Sequence, residues 1–510
     1  MHSVATCGLE SAKLIKQKLA AVFGGHATPR PRHLLLALLV PAALPAGAQQ
    51  RVLGLEEVIR QAWEQSAVAG QARTARETSY WQFRAYQAAY RPQLALQGQL
   101  PNYNRQITPV VQPDGTIQFQ AVRQNYSTLG VVLSQNVGAT GAQLVVRSEM
   151  QRFDDFNRNA RLYNNQPVSV GLVQPLGRYN RLRWDRRIEP LRYQESKRQL
   201  VLERETIAQR ITELYFDVLL EQVNADVARQ NVRANAEMLR LGQERFRLGR
   251  LSQSDLLLLE LNALSARQAL AQARLDAQNA ILALQSYTGQ SPDTLRLAVP
   301  AAPALAAPPA EALAHARQNR PEVLAFRCRL LQAESDVALA KGTTGLQATL
   351  QANLGYVNSA RSFWDTYHRP QNQQQVSLGF ALPLVDWGRQ KSVVKTAEAA
   401  RRQTELAVSQ EQRAFEQSVL TQAAQLGPLA EQLALAAQAD TLAQRRYAIA
   451  QATYRVGRVS LTDLNIALAE KDQARRAYIA ALRACWVARY RLRALTLYDF
   501  ERQQPLAGGL

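Results

Sequence analysis

Arg247-Leu-Gly-Arg-Leu-Ser-Gln-Ser-Asp-Leu256 and Arg455-Val-Gly-Arg-Val-Ser-Leu-Thr-Asp-Leu464 are two versions of one ten-residue element, 208 positions apart. Each reads as the end of one helix and the start of the next. Gly249 and Gly457 stand where a left-handed residue terminates a helix, because glycine carries no Cβ to strain that backbone. Ser252 and Ser460 then stand three residues before Asp255 and Asp463, the spacing of a capping box. The chain therefore makes two tight helical hairpin tips, at 248–255 and 456–463.

The same offset recurs upstream. Val168-Ser-Val-Gly-Leu-Val-Gln-Pro-Leu176 aligns with Val376-Ser-Leu-Gly-Phe-Ala-Leu-Pro-Leu384. Further upstream Glu57, Ala62 and Leu96-Gln97 meet Glu311, Ala316 and Leu350-Gln351 at an offset of 254, so 46 extra residues lie between Gln97 and Val168. The chain is a tandem duplication. The first repeat covers 49–290, a Pro/Ala-rich linker 291–310, the second repeat 311–498, and a tail 499–510. Each copy reads helix, strand, loop, strand, long helix, turn, helix.

Short strands are expected at about 93–100, 166–174, 347–356 and 374–383. They alternate aliphatic residues with Gln, Ser and Gly, the period-two pattern of a wall between lipid and a wet lumen. Four strands cannot close a barrel, and open sheet edges do not survive in lipid. Several chains must then share one barrel. An additional hairpin is expected at 126–135 and 142–149 around Gly138-Ala-Thr-Gly141, at the extracellular end within an insertion of about 101–165; whether it adds wall strands is open at this point.

Helical hairpins are expected at about 192–288 and 390–496. From 192 to 248 there is no Pro, and Ile207, Ile211, Leu214, Val218, Ala225, Ala228 and Val232 follow a 4,3 spacing suited to helices packed side by side. The run would be about 85 Å long at ~1.5 Å per residue. Gly427-Pro428 should interrupt its counterpart. With 47% hydrophobic residues but only 7% aromatics, the composition fits small-residue helical seams better than a sandwich or a loop-rich enzyme. The fold class is thus mainly α with a membrane β-barrel.

Residues 1–48 read as a secretory signal: Arg30 and Arg32, an apolar run from Leu34 to Val40, then Ala46-Gly-Ala48. Cys7 precedes that run, which argues against a lipid-anchored cysteine. Cys328 and Cys485 both fall in helical patterns and read as buried free thiols, with a disulfide between them as the alternative. The net charge of +20 comes from arginines scattered along helices, without a basic block, so nucleic acid is not an expected partner. His315 and His368 have no Cys or carboxylate at ligand spacing, and no phosphate loop or nucleophile elbow occurs. No catalytic residue, cofactor or metal is expected.

The duplicated order, the paired tips and the opening Leu55-Glu-Glu-Val-Ile-Arg-Gln-Ala62 resemble the TolC family of outer-membrane factors over about 55–498. The resemblance implies a homotrimer in outer-membrane lipid, a twelve-strand barrel, a helical tunnel crossing the periplasm, and a tip that opens when an adaptor and an RND-type or ABC-type inner-membrane pump dock. It places Leu248, Gly249, Arg250, Leu251 and Ser252 with Val456, Gly457, Arg458, Val459 and Ser460 at the adaptor contact. Asp463 would face the aperture, and Asp255 and Tyr454 would hold the tip shut. Ile466 stands where a second acid often follows, and Val459 where a basic latch residue is expected, which weakens the case for ion-pair gating. The competing reading is a periplasmic coiled-coil adaptor, which shares the helical periodicity.

Overall fold

The computed structural model describes residues 52–289, 296–456 and 458–506. The expected signal segment, the first part of the linker and Gly457 lie outside them. The first repeat begins with α1 (Leu55–Gln65) and α2 (Ala67–Ala89) and ends with α3 (Arg181–Arg247) and α4 (Gln253–Thr288). In the second repeat these become α5 (Pro309–Asn319), α6 (Pro321–Thr343), the broken column α7 (Arg389–Ala424) with α8 (Leu426–Arg455), and α9 (Leu461–Thr496). Adding 254 to the bounds of α1 and α2 gives those of α5 and α6. Adding 208 to α3 and α4 gives the α7–α8 span and α9. The duplication read from short motifs thus extends to every helix boundary.

Local chemistry sets those boundaries. Ser66 caps α2, its Oγ accepting from the Ala69 N–H at 3.2 Å, whereas Pro309 and Pro321 open α5 and α6, where a missing N–H costs no hydrogen bond. Pro428 falls in the first turn of α8, and the break expected there occurs at Gln425. One boundary needs correction. The first long helix starts at Arg181, eleven residues before the expected 192, and runs through Pro190 as 67 residues, about 100 Å at ~1.5 Å per residue. Its true start is set by Asn180, whose Oδ1 accepts from the Arg183 N–H at 3.2 Å.

The helices form four neighbouring columns. Toward the tips the order is α4, α3, α9, α8; toward the sheet it is α2, α3, α6, α7. The main core lies where the repeats meet, with Ile211, Tyr215, Phe216 and Val218 of α3 clustered with Ile479, Leu482 and Trp486 of α9 and with Val58 of α1. Phe216→Ala is expected to cost ~3–5 kcal/mol through lost burial and the residual cavity, read as a lower thermal unfolding midpoint in detergent. Tyr215 ties this core to the parallel pair β1 (Val52–Leu53) and β7 (Arg296–Leu297), donating its hydroxyl to the Ala298 carbonyl at 2.6 Å and the Leu53 carbonyl at 3.1 Å. Burial pushes that phenol up to about 12. Cys328 and Cys485 are buried free thiols, as expected, and His315 stacks on Tyr498.

The sheet differs most from expectation. Beside β2 (Gln93–Gln99), β6 (Ala160–Leu176), β8 (Gln347–Ala360) and β9 (Gln371–Ala381), which match the four expected strands, it contains β3 (Tyr103–Val111), β4 (Ile117–Val137) and β5 (Ala142–Asp155). The antiparallel order is β2, β4, β5, β6, β8, β9, with β3 paired to β4 beyond the end of β2. Thus β2 and β6 are not adjacent, and much of the insertion belongs to the sheet, with β4 and β5 between them. Its 138–141 turn sits at the helix end of the sheet: Asn180 Nδ2 donates to the Gly138 carbonyl at 3.0 Å, and Gln135 Nε2 to that of Tyr90 at 2.8 Å. The expected C-terminal tail is in part a hairpin of β10 (Tyr498–Asp499) and β11 (Gln504–Pro505).

Candidate channel wall and hairpin tips

The strand register assigns each wall residue to a face. Leu94 opposes Leu133 and Leu96 opposes Val131; Leu133 opposes Val146, which opposes Val170, which opposes Leu354. Leu350 opposes Leu378, and Ala348 opposes Phe380. One face of the sheet is therefore largely apolar along these rows, and Leu94, Leu96, Val376, Leu378 and Phe380 on it are exposed. The other face carries Gln93, Gln97, Thr128, Arg147, Ser169, Gln351, Asn353 and Ser377. A cleft on the concave side is lined by Arg147, Ser169, Gln351, Asn353, Gln375 and Ser377, so the sheet curls toward its polar face. That curvature is what a closed wall with lipid outside and water inside requires. Among the described residues no helix is long and apolar enough to cross a membrane.

At the far end of α3 the first tip has the expected chemistry. Gly249 has φ +67, its N–H bonds to the Phe246 carbonyl at 2.9 Å, and the Arg250 N–H reaches back to Arg245 at 2.8 Å, the paired bonds of a Schellman stop. Ser252 Oγ accepts from the Asp255 N–H at 3.0 Å and donates to its carboxylate at 2.7 Å. The second tip repeats this, with the Arg458 N–H on the Thr453 carbonyl at 3.0 Å and Ser460 capping Asp463 at 3.1 and 2.6 Å. Both acids are thus bound by the serine caps of their own helices. Open space surrounds Gly249, so a substitution there meets only backbone strain. Gly249→Val is expected to destabilise the tip by ~1–2 kcal/mol, seen as faster hydrogen exchange over 245–258 with no change in oligomer.

The structure separates the candidate residues into two groups. Leu248 and Val456, the matching C-cap residues, project outward with 69% exposure each, alongside exposed Arg250 and Arg458. Leu251 and Tyr454 face inward, Leu251 packing against the buried cluster of Met238, Leu259, Tyr454 and Leu464 that joins the two hairpins. Arg245 reinforces the junction: its guanidinium lies 5.4 Å from the Tyr454 ring centroid, and Nη2 donates to the Tyr454 carbonyl at 3.5 Å. Tyr454 is therefore held by a residue of the other repeat in the same chain. Arg245 and Gly242 were not among the candidates. Gly242 lets Leu259 approach so closely that a Cβ would lie 2.3 Å from its Cδ1; its one sequence signal is that it stands alone in a helix otherwise free of glycine. Gly242→Val is expected to part α3 from α4 near the tip, checked by increased proteolysis at 242–260.

The family model for the outer membrane efflux protein matches residues 114–290 and 312–496, one block per repeat. The fold is similar to that of solved channels. CusC superposes with TM-score 0.61 at 15% identity, covering 91% of this chain and 98% of that one. VceC of Vibrio cholerae gives 0.61 at 15%, covering 87% and 96%. The open-state MtrE outer membrane channel of Neisseria gonorrhoeae gives 0.58 at 16%, covering 87% and 88%. No curated protein matches by sequence. With both repeats matched and an apolar-faced sheet joined to long helices, the chain belongs to the outer membrane efflux protein family and is an outer-membrane channel protein.

Proposed function

We propose that three copies assemble into one conduit serving a tripartite efflux or type I secretion system. A periplasmic adaptor and an inner-membrane pump would dock at the tips, and small molecules or polypeptides would pass outward without any catalytic step. The observation that carries this reading is the unfinished sheet. Its outer face is largely apolar, yet among the described residues the outer edges of β9 at one margin and of β2 and β3 at the other are unpaired. Unpaired backbone groups cost several kcal/mol each in hydrocarbon, so the margins must be paired by sister copies. Exposed Leu248 and Val456 give each protomer two apolar knobs at the other end of its long helices, suited to a helical partner. Cargo choice is expected to rest with the pump. A periplasmic adaptor has the same hairpins but no use for a curled, lipid-faced sheet. Membrane fractionation with unheated gel electrophoresis tests the proposal. Detergent-extracted, heat-dissociable trimers from the outer membrane are expected; recovery from the aqueous periplasm would overturn it.

A further inference from the structure

We propose that each protomer donates six strands to the wall, so that three copies close a barrel of eighteen strands rather than twelve, wide enough to pass a polypeptide with helices already formed. This rests on the trimeric reading above. β2 and β3 count as one interrupted strand, because they pair in succession with Thr128–Ser134 and Ile117–Asn125 of the same β4. β4 and β5 are the added pair. Their membership of the wall is carried by two independent observations.

The first is phase. A strand slipped by one residue puts its apolar set on the wrong face, yet Leu129, Val131 and Leu133 share the outer face with Leu94 and Leu96, and Thr128 and Ser134 share the inner face with Gln99 and Gln93. The second is height. The turn between β4 and β5 is held by Asn180 at the start of α3, by Gln174 Nε2 on the Thr140 carbonyl at 3.1 Å, and by Asn136 Nδ2 on the Ala89 carbonyl at 3.2 Å. The inserted pair therefore spans the wall down to the helices. Six strands at ~4.8 Å spacing and ~40° tilt would occupy about 38 Å of circumference, against about 25 Å for four.

Barrel diameter grows with strand number. Eighteen strands at that spacing and tilt give a backbone diameter of about 36 Å, against about 24 Å for twelve. After inward side chains the lumen is roughly 24 Å across, about twice the 10–12 Å of a helix with its side chains. The inserted pair also brings Arg147 and Glu149 to the inner face.

The full-length protein in lipid bilayers, carrying a nitroxide at one position at a time, tests the assignment. Positions 128, 129, 131, 132, 133 and 134 are used; Gly130 is passed over because a Cβ there would lie 2.8 Å from the Ser148 carbonyl oxygen. Labels at 129, 131 and 133 are expected to meet lipid-dissolved oxygen, and those at 128, 132 and 134 a water-soluble nickel chelate. A density map of the extracted trimer is expected to show eighteen strands. Uniform chelate access with twelve strands in the map would overturn the proposal while leaving the trimeric channel intact. A protein that neither inserts nor trimerises would overturn both.

Discussion

Arg493→Ala is expected to lower the stability of the periplasmic domain by ~3–5 kcal/mol, the range for removing one partner of a buried ion pair. The guanidinium of Arg493 donates from Nε and Nη2 to Glu205 at 2.8 and 3.2 Å and from Nη1 to Asp499 at 3.0 Å. The Glu205 and Asp499 side chains are 5% and 4% exposed. Burial pushes the guanidinium pKa down, and the two carboxylates more than restore it, so its net displacement is upward. The alanine variant would leave two nearly dry carboxylates without their cation. It would also release the contact of α9 with α3 and with the β10–β11 hairpin, since Asp499 Oδ1 accepts from the Glu501 and Arg502 N–H groups to close that turn. Thermal unfolding of the detergent-extracted protein measures the loss. The triple variant Arg493→Met, Glu205→Leu, Asp499→Asn should recover most of it, because replacing all three charges by neutral side chains removes the cost of desolvating them while the introduced asparagine can still accept from the turn. A loss below ~1 kcal/mol for Arg493→Ala would mean that water screens the cluster and that the hairpin is held by packing alone.

The helices were legible because their signals are local and occur twice. Each stop and start is written within three or four residues, as at Gly249 and Ser252, and an offset of 208 carries one copy onto the other. The start of α3 was misplaced for a physical reason: Pro190 deletes a single donor, and a 67-residue helix packed on several neighbours absorbs that loss. The insertion is located within the right interval, but the sequence leaves open whether its strands join the sheet. Its strands alternate like any half-buried hairpin, and only their register with β2 and β6 shows which residues face lipid. At the tips, the caps were readable but the inward contacts were not. Arg245 on Tyr454 joins residues 209 positions apart, and the closeness of Leu259 to Gly242 depends on how two helices cross. Asp255 and Asp463 are 208 positions apart, and each carboxylate accepts a hydrogen bond from the serine cap of its own helix.

The double variant Leu248→Glu, Val456→Glu is expected to abolish export while trimers form normally. Both positions are C-cap residues with negative φ, so glutamate fits their backbone without strain. Both side chains are mostly exposed, so no internal contact of the protomer depends on them. If they seat in an adaptor, burying each contributes ~1.5–3 kcal/mol, and a glutamate in the same place adds the cost of desolvating an unpaired charge. Two such sites per chain, repeated around a trimer, exceed the binding free energy of a micromolar contact, ~8 kcal/mol. Expression of the variant in a deletion strain should leave the strain as sensitive as the deletion itself, with heat-dissociable trimers still present in the outer membrane. Single variants should fall between, because each tip is a separate hairpin with its own cap and loses only its own knob. Full protection by the double variant would move docking away from the C-caps, to the helix faces above them.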